Sequence, residues 1–77
     1  MVEAYILIQT DLGAAPAVAA AAAQLPGVTA ADDVTGPYDV IVRAAAQDVD
    51  ELGRMVVSAI QGIEGITRTL TCPVVRL

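Results

Sequence analysis

Leu25-Pro26-Gly27-Val28-Thr29 and Ile63-Glu64-Gly65-Ile66-Thr67 decide how this chain of 77 residues folds. The two stretches occupy equivalent places in the two halves, and each runs from a helix end through a glycine into a β-branched strand start. Glycine just past the last periodic residue is a helix-stop signal. A stop signal met twice at matching positions implies that one unit, strand then helix then strand, occurs twice.

The segments around each copy agree. Upstream, Val2 to Thr10 alternates and is rich in β-branched and aromatic residues, which reads as a strand. Asp11-Leu12-Gly13 breaks it. From Ala14 to Gln24 the chain is nearly all alanine, the strongest helix former, with Val18 and Leu25 at helical spacing and Pro16 in a tolerated first-turn position. Past Gly27, Val28 to Val34 is a second, more polar strand, and Thr35-Gly36-Pro37 turns the chain into a third from Tyr38 to Ala44. Asp48 with Glu51 three residues on is a capping-box pattern. Val49, Leu52, Val56, Ile60 and Ile63 then form an apolar stripe at helical spacing. Gly62 and Gly65 close that helix, and Ile66 to Val75 is a fourth strand.

The order β-α-β-β-α-β predicts one α+β domain over residues 1–77. It is a ferredoxin-like sandwich: a four-stranded antiparallel sheet with two helices on one face, built from two split β-α-β units. The repeat equates Val40 and Val42 with Val2 and Ala4. Side chains alternate across a strand, so Val2, Ala4, Ile6, Ile8, Val40 and Val42 belong under the helices. The open face then receives Glu3, Tyr5, Leu7, Gln9, Asp39, Ile41 and Arg43. An apolar centre of Tyr5, Leu7 and Ile41 within a polar rim has the anatomy of an interface, so dimerisation through the open sheet face is expected, with Tyr5, Leu7, Ile41 and Arg43 in the contact.

Composition points the same way. The chain is 56% hydrophobic without Trp or Phe, and its mean hydropathy is +0.64. A domain this small buries only about 60% of its unfolded surface, so the surplus apolar area is expected to be covered by another subunit. No apolar run reaches the ~18 residues of a membrane span, and Met1-Val2-Glu3-Ala4 lacks the basic region of a signal peptide. A cytoplasmic protein is expected. The formal charge is −5, with no Lys and four scattered Arg. Without a cationic cluster to meet phosphates, direct nucleic-acid binding is not expected. A single cysteine, Cys72, excludes an internal disulfide, and the absence of His argues against a zinc site. No metal and no cofactor are expected.

One segment concentrates hydrogen-bonding chemistry: Val34-Thr35-Gly36-Pro37-Tyr38-Asp39-Val40-Ile41-Val42. One reading of Tyr38 and Asp39 is a rim tyrosine and a strand-edge acid. The other uses the turn. Gly36 lets backbone N–H groups approach a ligand carboxylate, while Asp39 offers a carboxylate to a ligand ammonium, a pairing that matches a free α-amino acid. Elsewhere the residues read as structure. Asp32-Asp33 is a solvated strand edge, Thr67, Thr69 and Thr71 follow β propensity, and Cys72 has no neighbouring cation to activate it. No nucleophile–base pair, phosphate-cradling loop or acid–base dyad is present, so no enzymatic activity is expected.

With that element order and the Thr35-Gly36-Pro37-Tyr38-Asp39-Val40-Ile41 run, the whole chain resembles the effector-binding (RAM) domain of the Lrp/AsnC regulators. The opening Ala4-Tyr5-Ile6-Leu7-Ile8 strand, Pro26-Gly27-Val28 and the final Gly65-Ile66-Thr67-Arg68-Thr69-Leu70-Thr71 strand carry the likeness further. The resemblance implies sheet-to-sheet dimers that assemble into rings, commonly octamers, with a small effector such as an amino acid bound between dimers. It implies an effector site at the turn, here Thr35, Gly36, Tyr38 and Asp39, and at the end of the last strand, here Thr71, Cys72, Pro73 and Val74. Family regulators carry a helix-turn-helix DNA-binding domain that this sequence lacks, so it looks like a stand-alone form. Cys72-Pro73 also replaces the more usual aromatic or β-branched pair, and Pro73 removes a backbone donor.

One function is expected, with two alternatives to it. The expected one is an amino-acid-binding oligomer that modulates transcription or amino-acid metabolism indirectly. The first alternative is a small enzyme of the dimeric α+β barrel type, which shares this fold. The second is a structural partner that co-assembles with full-length regulators.

Overall fold

In the computed structural model, which describes residues 1–76, the elements follow the predicted order. They are β1 (Val2–Thr10), α1 (Ala15–Ala23), β2 (Val28–Asp33), β3 (Val40–Ala46), α2 (Val49–Arg54, continued by a π-helical stretch over Met55–Ile60) and β4 (Ile66–Pro73). The strands lie in the order β2-β3-β1-β4, and every neighbouring pair is antiparallel. This is the ferredoxin-like sandwich. The central strands β1 and β3 come from different halves of the chain.

The two repeated glycines share one backbone conformation, with φ of +88° at Gly27 and +98° at Gly65. Leu25-Pro26-Gly27-Val28 is a type II turn, closed by Val28 N–H donating to Leu25 O at 3.2 Å, with proline and a left-handed glycine at its two central positions. Each glycine carbonyl then ties its own half to the other. Gly27 O accepts from Ala45 N–H at the end of β3, and Gly65 O from Asp11 N–H just past β1, both at 2.8 Å. A Cβ at Gly27 would meet Met55 of α2, and one at Gly65 would meet Ala14 and Val18 beside or in α1. The repeat read from the sequence is therefore matched in the packing as well.

Ile6, Ile8, Val18, Val40, Val42 and Ile60 are the largest fully buried side chains, and Ala19 and Ala22 of α1 join them in the core. With methyl groups alone at the contact, α1 can lie close to the sheet. A smaller cluster of Ala4, Ala46 and Leu52 closes the other end of the helical layer. Nothing wider than leucine, isoleucine or methionine fills this core, which explains how a chain without Phe or Trp still excludes water.

The structure adjusts three expectations. In the strand bounds, β3 begins at Val40 rather than Tyr38 and runs on to Ala46, and β4 ends at Pro73 rather than Val75. In the capping box, Asp48 Oδ1 accepts from Glu51 N–H at 2.8 Å as expected, but Glu51 reaches the N–H of Gln47 rather than of Asp48. Val49 is 69% exposed while Leu52, Val56 and Ile60 are buried. A helical side chain lies over the turn before its own Cα, and Val49, as the first helical residue, has no such turn beneath it. The π-helical stretch is fixed by Gln61 N–H donating to Val56 O, five residues back, at 3.0 Å.

Candidate functional site

The Thr35–Asp39 turn leaves β2 and returns into β3. Gly36 has φ +146°, a value strained for other residues, and a Cβ there would meet nothing within 4 Å. The tip is thus unobstructed at Gly36. Its flanks are fixed. Val34 N–H donates to Asp39 O at 2.8 Å, and Asp39 N–H donates to Ile8 O at 2.9 Å. Gln9 Nε2 donates to Pro37 O at 3.1 Å.

The carboxylate of Asp39 is half-buried and partly engaged. Thr10 N–H donates to its Oδ2 at 2.8 Å, with Thr10 Oγ1 farther off at 3.4 Å. β3 has turned away from β1 by this point, so the side chain supplies an acceptor that a continuing strand would have given. A buried backbone N–H without a partner would be costly. Across β1 the register with β4 shifts between Gln9 and Thr10, where Arg68 faces Gln9 but Ile66 faces Thr10. Thr67 is the extra residue of this bulge. Tyr38, half-buried, stands between Pro37 and Asp39.

Thr71, Cys72, Pro73 and Val74 run along the other flank of β1, from its middle to its start. Thr71 faces Ile6, Cys72 faces Tyr5 and Pro73 faces Ala4, while Val74 N–H donates to Glu3 O at 2.9 Å. The turn joins β1 at Ile8, two residues from Ile6 and four from Ala4, or about 7 to 13 Å along a strand that rises ~3.3 Å per residue. Within one chain the two groups of expected ligand residues are therefore held apart, on opposite flanks of β1.

The open face carries Tyr5, Leu7, Ile41 and Arg43 where the repeat placed them, in register as Tyr5↔Arg43 and Leu7↔Ile41. β4 adds Leu70 opposite Leu7 and Cys72 opposite Tyr5. Tyr5 is 39% and Leu70 42% exposed. Leu70 was legible in principle, because the alternation of Thr69 and Thr71 puts it on the other face of β4. A charged rim lies at one end. Glu3 bridges Arg43 at 2.9 Å and also pairs with Arg76. Arg43 also donates to the Tyr5 hydroxyl, and its guanidinium carbon sits 5.0 Å from the Tyr5 ring centroid. The hydrogen bond and charge of Arg43 hold the Glu3 carboxyl below its usual range, and Glu3 in turn raises the Arg43 guanidinium.

The roles of Gln9 and Thr10 at the turn had no signal in sequence, because both depend on where β3 leaves the sheet. A shallow polar groove lined by Gln61, Ile66, Thr67, Arg68 and Thr69 flanks β4, and Gln61 Nε2 spans it to Thr69 Oγ1 at 3.1 Å. Among the described residues no three His, Cys, Asp or Glu side chains gather as a metal site would require, and no helix is long and apolar enough to cross a membrane.

This architecture is shared with known proteins. The Lrp/AsnC ligand binding domain matches residues 3–77. An uncharacterized HTH-type transcriptional regulator of Pyrococcus horikoshii, PH1916, is 32% identical over 71 residues, which are 88% of this chain and 47% of the regulator. The chain thus spans about half the length of the curated relatives it matches. The crystal structure of TTHA0845 from Thermus thermophilus superposes with a TM-score of 0.93 at 36% identity, covering 100% of this chain and 96% of that one. The regulator NMB0573 of Neisseria meningitidis, solved as a complex with L-Met, has the same fold, with a TM-score of 0.85 at 19% identity over 97% of this chain and 50% of its own.

Proposed function

The chain belongs to the Lrp/AsnC ligand-binding domain family, and from that premise we propose that it is a non-enzymatic, cytoplasmic regulatory domain that binds a free amino acid and works as an oligomer. Family membership over residues 3–77 is the observation that carries this reading. The L-Met complex of NMB0573 supports an amino acid as the ligand class. The site is assigned to Thr35, Gly36, Tyr38 and Asp39, with Thr71, Cys72, Pro73 and Val74 supplied by another copy, because one chain holds the two groups apart along β1. Gly36 offers an unobstructed tip, backbone amides suit the ligand carboxylate, and Asp39 suits its ammonium.

Assembly starts at the open sheet face. Tyr5, Leu7, Ile41 and Leu70 form its apolar centre, and burying each large side chain contributes about 1.5–3 kcal/mol. The dimers then join into a ring, which brings one copy's turn to another's β4 end. Binding changes that ring, and through it the transcription controlled by full-length relatives that co-assemble with it.

Thermal denaturation against each of the twenty amino acids, with light scattering on the same samples, tests the proposal. A ligand at 100 times its dissociation constant adds about 2.7 kcal/mol of stability. One chemical class of amino acid should raise the melting temperature. The reading fails if none of the twenty does so, or if the protein is monomeric with and without them.

A further inference from the structure

We propose that Gln9 and Thr10, at the end of β1, are positioning residues for the turn: they hold Pro37 and one carboxylate oxygen of Asp39, so that Asp39 faces a ligand through Oδ1 alone. This rests on the turn being the ligand site. The tip cannot orient itself. Gly36 is exposed, and a side chain there would touch nothing within 4 Å, so the position of the tip is set by its flanks.

Those flanks are tied to β1 at successive residues. Ile8 O accepts from Asp39 N–H at 2.9 Å, Gln9 Nε2 donates to Pro37 O at 3.1 Å, and Thr10 N–H donates to Asp39 Oδ2 at 2.8 Å. Asp39 O accepts from Val34 N–H at 2.8 Å, across the neck of the turn. The N–H, the carbonyl and one carboxylate oxygen of Asp39 are thereby committed, and among the described residues nothing donates to Oδ1. Thr10 Oγ1 is nearer to Asp11 O, at 3.1 Å, than to Asp39, at 3.4 Å. The backbone N–H of Thr10 is therefore the principal anchor. The bulge opposite Thr10 belongs to the same device. Bulges re-aim the chain where pairing ends, and this one lies on the β4 side of the residue whose other flank receives Asp39.

Four variants separate anchoring from direct ligand contact. Asp39→Asn keeps an acceptor for Thr10 N–H but loses the charge, whereas Asp39→Ala loses both. Gln9→Glu keeps the shape of Gln9 but loses its donor, and Gln9→Lys restores a donor. Amide hydrogen exchange of the protein alone is followed by NMR at Thr10, Val34 and Asp39, whose N–H groups are bonded at the turn, and amino-acid affinity is measured on the same variants.

A hydrogen bond to a charged group typically contributes enough to slow opening roughly tenfold or more. Thr10 exchange should accelerate by about that factor in Asp39→Ala and stay within about twofold of wild type in Asp39→Asn. Gln9→Glu should speed exchange at Val34 and Asp39, whose N–H groups hold the flanks of the turn, roughly two- to tenfold, with Gln9→Lys restoring it. Affinity should fall in Gln9→Glu, recover in Gln9→Lys and fall in Asp39→Asn although its Thr10 amide stays protected. Unchanged Thr10 exchange in Asp39→Ala overturns the proposal, as does a Gln9→Lys variant that restores neither exchange nor affinity. If the exchange pattern holds but wild type binds none of the twenty amino acids, the anchoring stands and the amino-acid reading falls.

Discussion

Gly27→Ala is expected to destabilise the protein by about 2–4 kcal/mol, from two separable effects. Gly27 has φ +88°, where an L side chain crowds the following carbonyl at roughly 1–2 kcal/mol. The added Cβ would also overlap Met55 Cε and lie 2.9 Å from Ala45 O. Met55 ends in a flexible thioether and can swing aside. Ala45 cannot, because it is backbone in β3 and its own N–H donates to Gly27 O at 2.8 Å. Relieving that contact stretches the tie between the halves, an overpacking effect of about 1–3 kcal/mol. The lower entropy of an unfolded alanine returns only about 0.4–1 kcal/mol. Two other glycines isolate the terms. Gly13 has φ +81° with nothing within 4 Å of a Cβ, so Gly13→Ala should cost only about 1 kcal/mol of conformational strain. Gly53, in α2, also has open space, and Gly53→Ala should stabilise by up to ~1 kcal/mol through helix propensity. Urea denaturation at one fixed protein concentration reads all three, since the stability of the proposed oligomer would depend on concentration. The reasoning is refuted if Gly27→Ala and Gly13→Ala agree within about 0.5 kcal/mol, because the contact with Ala45 would then contribute nothing.

Other perturbations probe the remaining layers. Ile6→Ala, at a fully buried position beneath the helices, should lower stability by about 2–5 kcal/mol in the same denaturation assay. Asp48→Ala removes the acceptor for Glu51 N–H and should cost about 1 kcal/mol, read as a lower urea midpoint. Leu70→Asp places a charge in the apolar centre of the open face, so light scattering should report a smaller assembly than wild type; an unchanged mass would remove that face from the interface. The Glu3 carboxyl is lowered from 4.5 by Arg43, so its contribution is present above about pH 4.5 and fades as pH falls through the lower folded value. The stability gap between wild type and Glu3→Gln should accordingly close in that acid range and not on the alkaline side.

Much of this was readable from the sequence because it is local. The helix-stop glycines, the alanine run and the Asp48 cap depend on residues within a turn of one another, so β1 and α1 fall within a residue of their expected bounds. The faces of β1 and β3 also followed, since alternation together with the repeat fixes both. The start of β3 did not. Tyr38 and Asp39 have strand-like character, but Gly36 and Pro37 aim the chain so that pairing with β1 begins only at Val40. Val49 matched the helical period yet stays in solvent, because period says nothing of whether a preceding turn lies beneath a side chain. The second role of Asp39 was equally hidden: its bond to Thr10 joins residues 29 apart.

By itself, then, the sequence determined which elements form, in what order and with which faces apolar, because 3.6-residue and two-residue periods and glycine turns are properties of short segments. It also carried the family likeness that the Lrp/AsnC match bears out. Tertiary structure alone decided what the turn can offer. Only when β1 and β3 lie side by side does the Thr10 amide need an acceptor and find Asp39, and only then are the turn and the end of β4 seen to stand on opposite flanks of β1. Both are consequences of register, which local propensity cannot encode because it is settled by burial of whole strand faces at once.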